Sequence, residues 1–395
     1  AGSEDEITGD ALKHLSKMRS AGIAIKELPT IEDWEAAPVP YHGSDVVVDG
    51  ILGTGITGPA RGPAAGAIKY INALSERSLV VSIDVPSGLN SDTGRADGSA
   101  VRADVTVTMG LPKTGLLEPC AVDYVGTLEV ADLGFPDQLV SAIGSRRELI
   151  TADDLRKIMK RRARDSHKGV FGHLLVVGGS AGYSGAVALA AAAALRSGVG
   201  LVTVLVPESI APIVASLVPE AMVHGGAETV DGSLSSSCLE KWQRNIQEFS
   251  AILAGPGMRN HEQTRSVIDA LLERSRNTFV LDADALNVYE KQAALLRDAT
   301  CPLVITPHPG ELARLMGCSA SEVQAERFGM ADRAAGETGG VVVLKGAGTI
   351  IAGNGMPLTV NMTGNPGMAK GGMGDVLAGL IGGMAAQGFA PFDAA

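Results

Sequence analysis

Short runs of apolar, largely β-branched residues recur along the chain, and each stops at a polar or glycine-rich loop. Residues 46–49 run into Gly53-Thr54-Gly55, residues 79–84 into Pro86-Ser87-Gly88, and residues 104–109 into Gly110 and Pro112-Lys113. Residues 172–177 run into Gly178-Gly179-Ser180, and residues 201–206, 250–253, 278–281, 302–305 and 341–344 repeat the form. Short continuous apolar runs of this kind predict strands buried on both faces, as in a parallel sheet covered by helices. Helices are predicted between them, for example at residues 10–21 and 63–75. The most apolar stretch, residues 185–206, contains Arg196, Ser197 and two internal glycines, so it reads as an alanine-rich helix followed by a strand, not a membrane span. The fold class is therefore α/β, with ligands expected at the C-terminal ends of the strands, where these loops lie.

A chain of 395 residues is long enough for two cores. The charged segment 145–166 separates two α/β blocks, with the boundary expected near residues 136–147 and domains at residues 1–140 and 147–395. Within that segment Lys157, Lys160, Arg161, Arg162 and Arg164 are interrupted by Asp153, Asp154 and Asp165, which predicts a solvated helix face. The net charge of −11 argues against nucleic acid and anionic membrane as partners, because there is no broad positive field to attract them. Cys120, Cys238, Cys301 and Cys318 have no CxxC spacing, and acidic residues Glu4, Asp5 and Glu6 stand where a secretory leader would be positive. Reduced thiols and a cytoplasmic location follow as expectations. The chain begins without Met and stops soon after a glycine-rich helix start, so a piece of a longer protein is expected.

The segment most informative about chemistry is Gly364-Asn365-Pro366-Gly367-Met368-Ala369-Lys370-Gly371-Gly372-Met373-Gly374-Asp375, which leads into the apolar Val376-Leu377-Ala378-Gly379-Leu380. A glycine-rich loop entering a helix exposes free N–H groups at the positive end of the helix dipole, which suits a phosphate. Asp375 falls in the first turn. A carboxylate beside a polyphosphate is unfavourable unless it has work to do, and taking a proton from an attacking hydroxyl is such work. The blander alternative is a helix-start Asp that complements the dipole.

This segment resembles the catalytic loop of ribokinase-like folds, and more narrowly that of ADP-dependent NAD(P)H-hydrate dehydratases. The resemblance continues through Gly178-Gly179-Ser180-Ala181-Gly182-Tyr183-Ser184-Gly185-Ala186 and Ala254-Gly255-Pro256-Gly257-Met258. Leu281-Asp282-Ala283-Asp284-Ala285-Leu286-Asn287, Thr306-Pro307-His308-Pro309-Gly310-Glu311 and Leu344-Lys345-Gly346-Ala347-Gly348-Thr349 follow in the family's order. The first block is similar to the NAD(P)H-hydrate epimerase domain fused to this dehydratase in bacteria, through residues 49–55, 84–89, 103–108 and 112–116. The epimerases' Asn-Asn-Gly-Gly-Asp-Gly loop is absent, so the first block is expected to lack its first strands and to leave a sheet edge open.

The resemblance implies a Rossmann-like three-layer domain followed by a ribokinase-like one. It implies repair of hydrated nicotinamide cofactors, with ADP as co-substrate and Mg²⁺ and K⁺ as ions. Asp375 is the implied base; Ala186, Gly257 and His308 contact the hydrated substrate; Lys345, Gly346, Ala347, Gly348, Thr349 and Gly374 line the adenine-nucleotide site. In the first block Asp84 is the implied catalytic contact, Gly53, Thr54, Gly55, Ile56, Thr57, Gly58 and Pro59 cradle substrate phosphate, and Asp49 and Ser87 give oxygens to potassium. Asx and Ser turn chemistry at strand ends is the plainer alternative for Asp49, Asp84 and Ser87. For residues 345–349 a β-hairpin turn is compatible with nucleotide contact. Glu311 either orients a metal-bound water or caps a helix at Leu312. One of Asp282 and Asp284 is expected to be structural. A homo-oligomer is the expected assembly. Two other functions remain open: a small-molecule kinase of the same fold, of the hydroxymethylpyrimidine or hydroxyethylthiazole type, and a non-catalytic NAD(P)-binding assembly protein. The fused first block argues against the former and Asp375 against the latter.

Overall fold

The computed structural model describes residues 4–37, 44–75, 77–159, 161–240, 242 and 244–395. It divides into two compact units, Ala1–Ser145 and Arg146–Ala395.

In the first unit four parallel strands, β1 (Val46–Asp49), β2 (Leu79–Ile83), β3 (Val105–Met109) and β4 (Thr127–Ala131), lie side by side in chain order. One face is packed. Ile68 and Ile71 of α1 (Gly62–Leu74) bury against Val80, Val101 and Ala103, while Leu116, Ala121 and Val125 close a second cluster with Val85 and Leu89. The opposite face is open, which corrects the expectation of strands buried on both sides. Alternate residues Val46, Val48, Leu79 and Ile83 are 51%, 59%, 45% and 43% exposed. The reason lies in the layers: the described helix and turns of this unit that bury apolar side chains against the sheet do so on the face of Val80, Ser82 and Thr106.

The second unit is built on ten strands: β5 (Arg147–Leu149), β6 (His173–Val177), β7 (Leu201–Pro207), β8 (Met222–Gly226), β9 (Ala251–Ala254), β10 (Thr278–Leu281), β11 (Leu303–Ile305), β12 (Val341–Leu344), β13 (Thr349–Ala352) and β14 (Leu358–Asn361). Their order is β5-β14-β13-β12-β11-β10-β9-β6-β7-β8. All neighbours are parallel except β13, which runs antiparallel to both β12 and β14. From β6 the chain proceeds to β7 and β8 on one side and returns to β9 on the other, so β6 and β9 flank a topological switch point. That is where ligands bind in open α/β sheets. Here the continuous apolar runs are buried as expected: Leu174 to Val177 and Ala251 to Ala254 have no exposed surface.

Two small-residue helices, α2 (Ser184–Ser197) and α3 (Met373–Ala386), cross the sheet together. A Cβ on Gly379 would lie 2.1 Å from the Ala190 carbonyl oxygen, so the two backbones are nearly in contact. Bulk on either helix would force them apart. The basic segment is exposed as expected at Lys157, Arg161, Arg162 and Arg164, but the helix there spans only Ala152–Ile158, and Arg162 lies beyond it. Arg162 stacks on Phe171 and donates to the carbonyl of Gly198, where α2 ends, at 2.7 Å. A cation satisfying the last carbonyls of a helix is more favourable than one left in water. Lys160 lies outside the described residues. All four cysteines are free. Among the described residues no helix is long and apolar enough to cross a membrane.

Candidate active site

The loops after β6 and β9 meet at the switch point. Gly179 N donates to Pro256 O at 2.7 Å, and Ser180 Oγ donates to Gly257 O at 2.8 Å. Gly257 takes φ +70°, and a Cβ there would stand 2.8 Å from Tyr183 O and 3.3 Å from the Ala186 Cβ. Ala186 and Gly257, singled out separately in the sequence, are therefore neighbours, and position 257 has no space for a side chain. Two side chains missed in the sequence border them. Tyr183 is half exposed, and Arg259 lies over its ring while holding Ser180 Oγ and Ala181 O. Arg259 also adopts a left-handed φ of +68°, a conformation that only the fold reveals.

Further along the same edge, Gly372 in the left-handed region opens α3 and places Asp375 in its first turn. Among the described residues no donor hydrogen-bonds to the Asp375 carboxylate, leaving it available as a base. Burial, then the negative charge of Asp282, pushes its carboxyl up to about 6, with Lys345 pulling the other way and Glu311 adding to the rise. Lys345 sits next to this helix start: a Cβ on Gly374 would lie 3.4 Å from its Nζ. Its ammonium is 2.9 Å from Asp282 Oδ1 and 3.6 Å from Glu311 Oε2. Burial opposes the charge on Lys345, but the two carboxylates outweigh it and hold its pKa above the ordinary value. Its side chain thus faces the carboxylates rather than projecting from the loop.

The alternatives left open for the acidic residues now separate. Asp282 is buried at the end of β10, where it accepts from Thr306 Oγ1 at 2.7 Å and from Lys345. Asp284 is structural, since its oxygens take the Arg259 amide at 2.9 Å and Asn287 Nδ2 at 3.0 Å. Glu311 is a cap: it accepts the His308 amide at 2.7 Å, while His308 Nδ1 accepts the Gly310 and Glu311 amides at 3.0 and 3.3 Å. This capping box opens α4 (Pro309–Met316) and uses one ring nitrogen of His308, whose side chain is otherwise half exposed at the site's rim. Residues 345–348 form the turn between antiparallel β12 and β13, the latter opened by Thr349, so 345–349 are a hairpin whose tip belongs to this edge.

In the first unit the expected residues also gather at the C-terminal edge. Residues 53–59 follow β1 as a largely exposed loop. Asp49, fully buried, accepts Ser82 Oγ at 2.8 Å, Ser87 N at 2.9 Å and Ser87 Oγ at 2.6 Å. Ser87 Oγ in turn accepts Leu52 N at 2.9 Å, and Ser87 O accepts Val101 N. The pair is closed on itself and braces the start of the loop. No group of three or more His, Cys, Asp or Glu gathers to hold a metal among the described residues. Asp84 takes φ +69° and faces the ammonium of Lys113, the Met109 amide at 2.9 Å and Thr108 Oγ1 at 3.3 Å. Burial opposes its charge, and these donors outweigh it, holding the carboxyl below its ordinary value. Lys113 was visible in the sequence only as part of a motif; its partner is set by the fold.

Comparison with known proteins agrees with this layout. Residues 174–395 match a family described as NAD(P)H-hydrate dehydratase, and residues 1–115 match one described as YjeF-related protein N-terminus. The bifunctional NAD(P)H-hydrate repair enzyme Nnr of Moorella thermoacetica is 41% identical over 98% of this chain and 73% of its own. That of Escherichia coli is 39% identical over 92% of this chain and 68% of its own. Among solved structures, the ADP/ATP-dependent NAD(P)H-hydrate dehydratase of Bacillus subtilis, co-crystallized with ATP and Mg²⁺, is similar with a TM-score of 0.56 and 33% identity, covering 62% of this chain and 84% of that one. With nearly its whole length aligned to such relatives and its two units matching in the same order, the chain belongs to the bifunctional NAD(P)H-hydrate repair enzyme family.

Proposed function

We propose that the second unit removes water from the S form of NADH or NADPH hydrate, converting ADP to AMP and phosphate. The observation that carries this reading is Asp375: a carboxylate with a raised pKa and no internal hydrogen bond, at the start of a helix that also offers phosphate-binding amides. Asp375 takes the proton of the hydrate's hydroxyl, and the oxygen attacks the terminal phosphoryl group of ADP as AMP departs. The free amides at the start of α3, with Gly374, stabilise charge on the phosphoryl group in transit. Departure of phosphate, with loss of a ring proton, then restores the dihydropyridine. Ala186 and Gly257 leave the substrate room to approach the backbone, His308 contacts it from the rim, and Lys345, Gly346, Ala347, Gly348 and Thr349 receive the adenine nucleotide.

A magnesium ion would be held chiefly by the nucleotide phosphates and would neutralise charge on the transferring group, because Asp282 and Glu311 are already engaged by Thr306, Lys345 and the His308 amide. In the first unit Asp84, paired with Lys113, acts on the hydrate to interconvert its R and S forms, and residues 53–59 cradle its phosphate. Asp49 and Ser87 are spent on each other, so their carboxylate and hydroxyl do not fit a potassium site. A cytoplasmic location and a homo-oligomeric assembly complete the proposal.

The test is product analysis after mixing the protein with S-hydrate and ADP. NADH, AMP and phosphate in equal amounts support the reading. A stable phosphorylated alcohol, or no nucleotide turnover, contradicts it.

A further inference from the structure

Arg327 opens the helix Arg327–Thr338, which precedes β12. Only 2% of its surface is exposed, which is unusual for a guanidinium. Its terminal nitrogens lie 3.2 Å from Leu344 O, 3.4 Å from Lys345 O and 3.2 Å from Gly348 O, and 3.2 Å from Gln324 Oε1. One side chain therefore binds both legs of the hairpin tip, the strand leaving at residues 344–345 and the strand returning at residue 348. The backbone lies directly on it: Gly346 takes φ +146°, and a Cβ there would be 2.9 Å from the guanidinium. Burying a cation is costly unless its donors find acceptors, and here carbonyls of the tip accept from both terminal nitrogens.

Drawing the tip's carbonyls inward fixes which polar groups remain for a ligand. The amides of Gly346, Ala347 and Gly348 donate to no acceptor in the backbone network of the described residues. A turn with its carbonyls tied back and its amides free is a concavity suited to phosphate or ribose oxygens. We infer that Arg327 is a positioning residue for the adenine nucleotide: it holds the 345–349 turn in its binding shape without touching the ligand. The inference rests on the reading of that turn as the ADP site. A turn formed before binding spares the ligand the ordering cost, so its loss is read in nucleotide affinity.

The experiment compares wild type with Arg327→Lys and Arg327→Met. Titration calorimetry measures ADP affinity, steady-state kinetics measures KM for ADP and for S-hydrate separately, and thermal unfolding without ligand monitors the fold. Lysine keeps the charge but cannot bridge three carbonyls, and methionine keeps the bulk. Both variants are expected to weaken ADP about tenfold or more, the scale of one lost charged hydrogen bond, with KM for the hydrate unchanged. Equal ADP affinity in wild type and both variants overturns the inference. So does a parallel rise in both KM values with a lowered melting temperature, which marks a general packing role. A wild type that turns over no hydrate yet binds ADP, with binding lost in the variants, upholds the inference while sinking the dehydratase reading.

Discussion

Replacing Gly379 by alanine should destabilise the second unit, although alanine is the better helix former by about 1 kcal/mol. The added Cβ would stand 2.1 Å from the Ala190 carbonyl oxygen, 2.8 Å from its carbon and 2.9 Å from its Cα. Non-bonded carbon contacts are comfortable near 3.5–4.0 Å, so the helices Ser184–Ser197 and Met373–Ala386 must separate by roughly 1 Å. Overpacking of this kind costs about 1–3 kcal/mol, and both obstructing atoms and neighbours here are backbone, which cannot rotate away. After the propensity gain, a net loss of up to about 2 kcal/mol remains, which for a unit of this size lowers the melting temperature by up to roughly 8 °C. Gly336→Ala supplies the opposite case, since that helical glycine has nothing within 4 Å of its missing Cβ. There the propensity term stands alone, and the melting temperature should rise slightly. The helix that moves in Gly379→Ala carries Asp375 at its start, so turnover should fall even where the protein remains folded. Calorimetric melting of both variants checks the argument. A Gly379→Ala protein as stable as Gly336→Ala would refute the close backbone packing on which it rests.

With Asp375 pushed up to about 6, dehydration should rise as pH increases through that value and level off above it, because the ionised form is the base. Glu311→Gln keeps an acceptor for the His308 amide but removes a charge that raises the Asp375 pKa, so the midpoint of the pH–rate curve should move downward; an upward shift contradicts the assignment. Asp49→Ala leaves the hydroxyls of Ser82 and Ser87 and an amide without their acceptor, and should destabilise the first unit by about 3 kcal/mol, read by thermal or denaturant unfolding. Asp84→Asn keeps a side chain that tolerates positive φ but loses the charge facing Lys113, so interconversion of R and S hydrates should fail while the melting curve changes little.

The strands of the second unit were legible because their apolar runs are continuous, and burial on both faces is what such runs encode. The same kind of run misled in the first unit: Val46 and Val48 are as apolar as Val176 and Val177, yet nothing in a run of valines says that one face will be open. Strands β5, β8 and β14 escaped notice because they lie at or beside the sheet edges and lack the continuous apolar runs of the central strands. At the site, Asp375 was legible from its glycine loop, and Ala186 and Gly257 from the family pattern. The partners were not. That Lys345 turns to Asp282 and Glu311, that Asp284 holds a backbone amide, and that Arg327 lies under the 345–349 turn are facts of long-range contact, with no local signal in the sequence.

The most direct test of the central claim compares wild type with Asp375→Asn in recovery of NADH from S-hydrate and ADP, followed by the absorbance of the dihydropyridine, with ADP binding measured on both. The amide preserves the shape of the helix start and removes the base. Recovery by wild type, with a loss of at least about a hundredfold in the variant and ADP affinity retained, is the predicted result. Recovery by Asp375→Asn at the wild-type rate would contradict the assignment of Asp375 as the base.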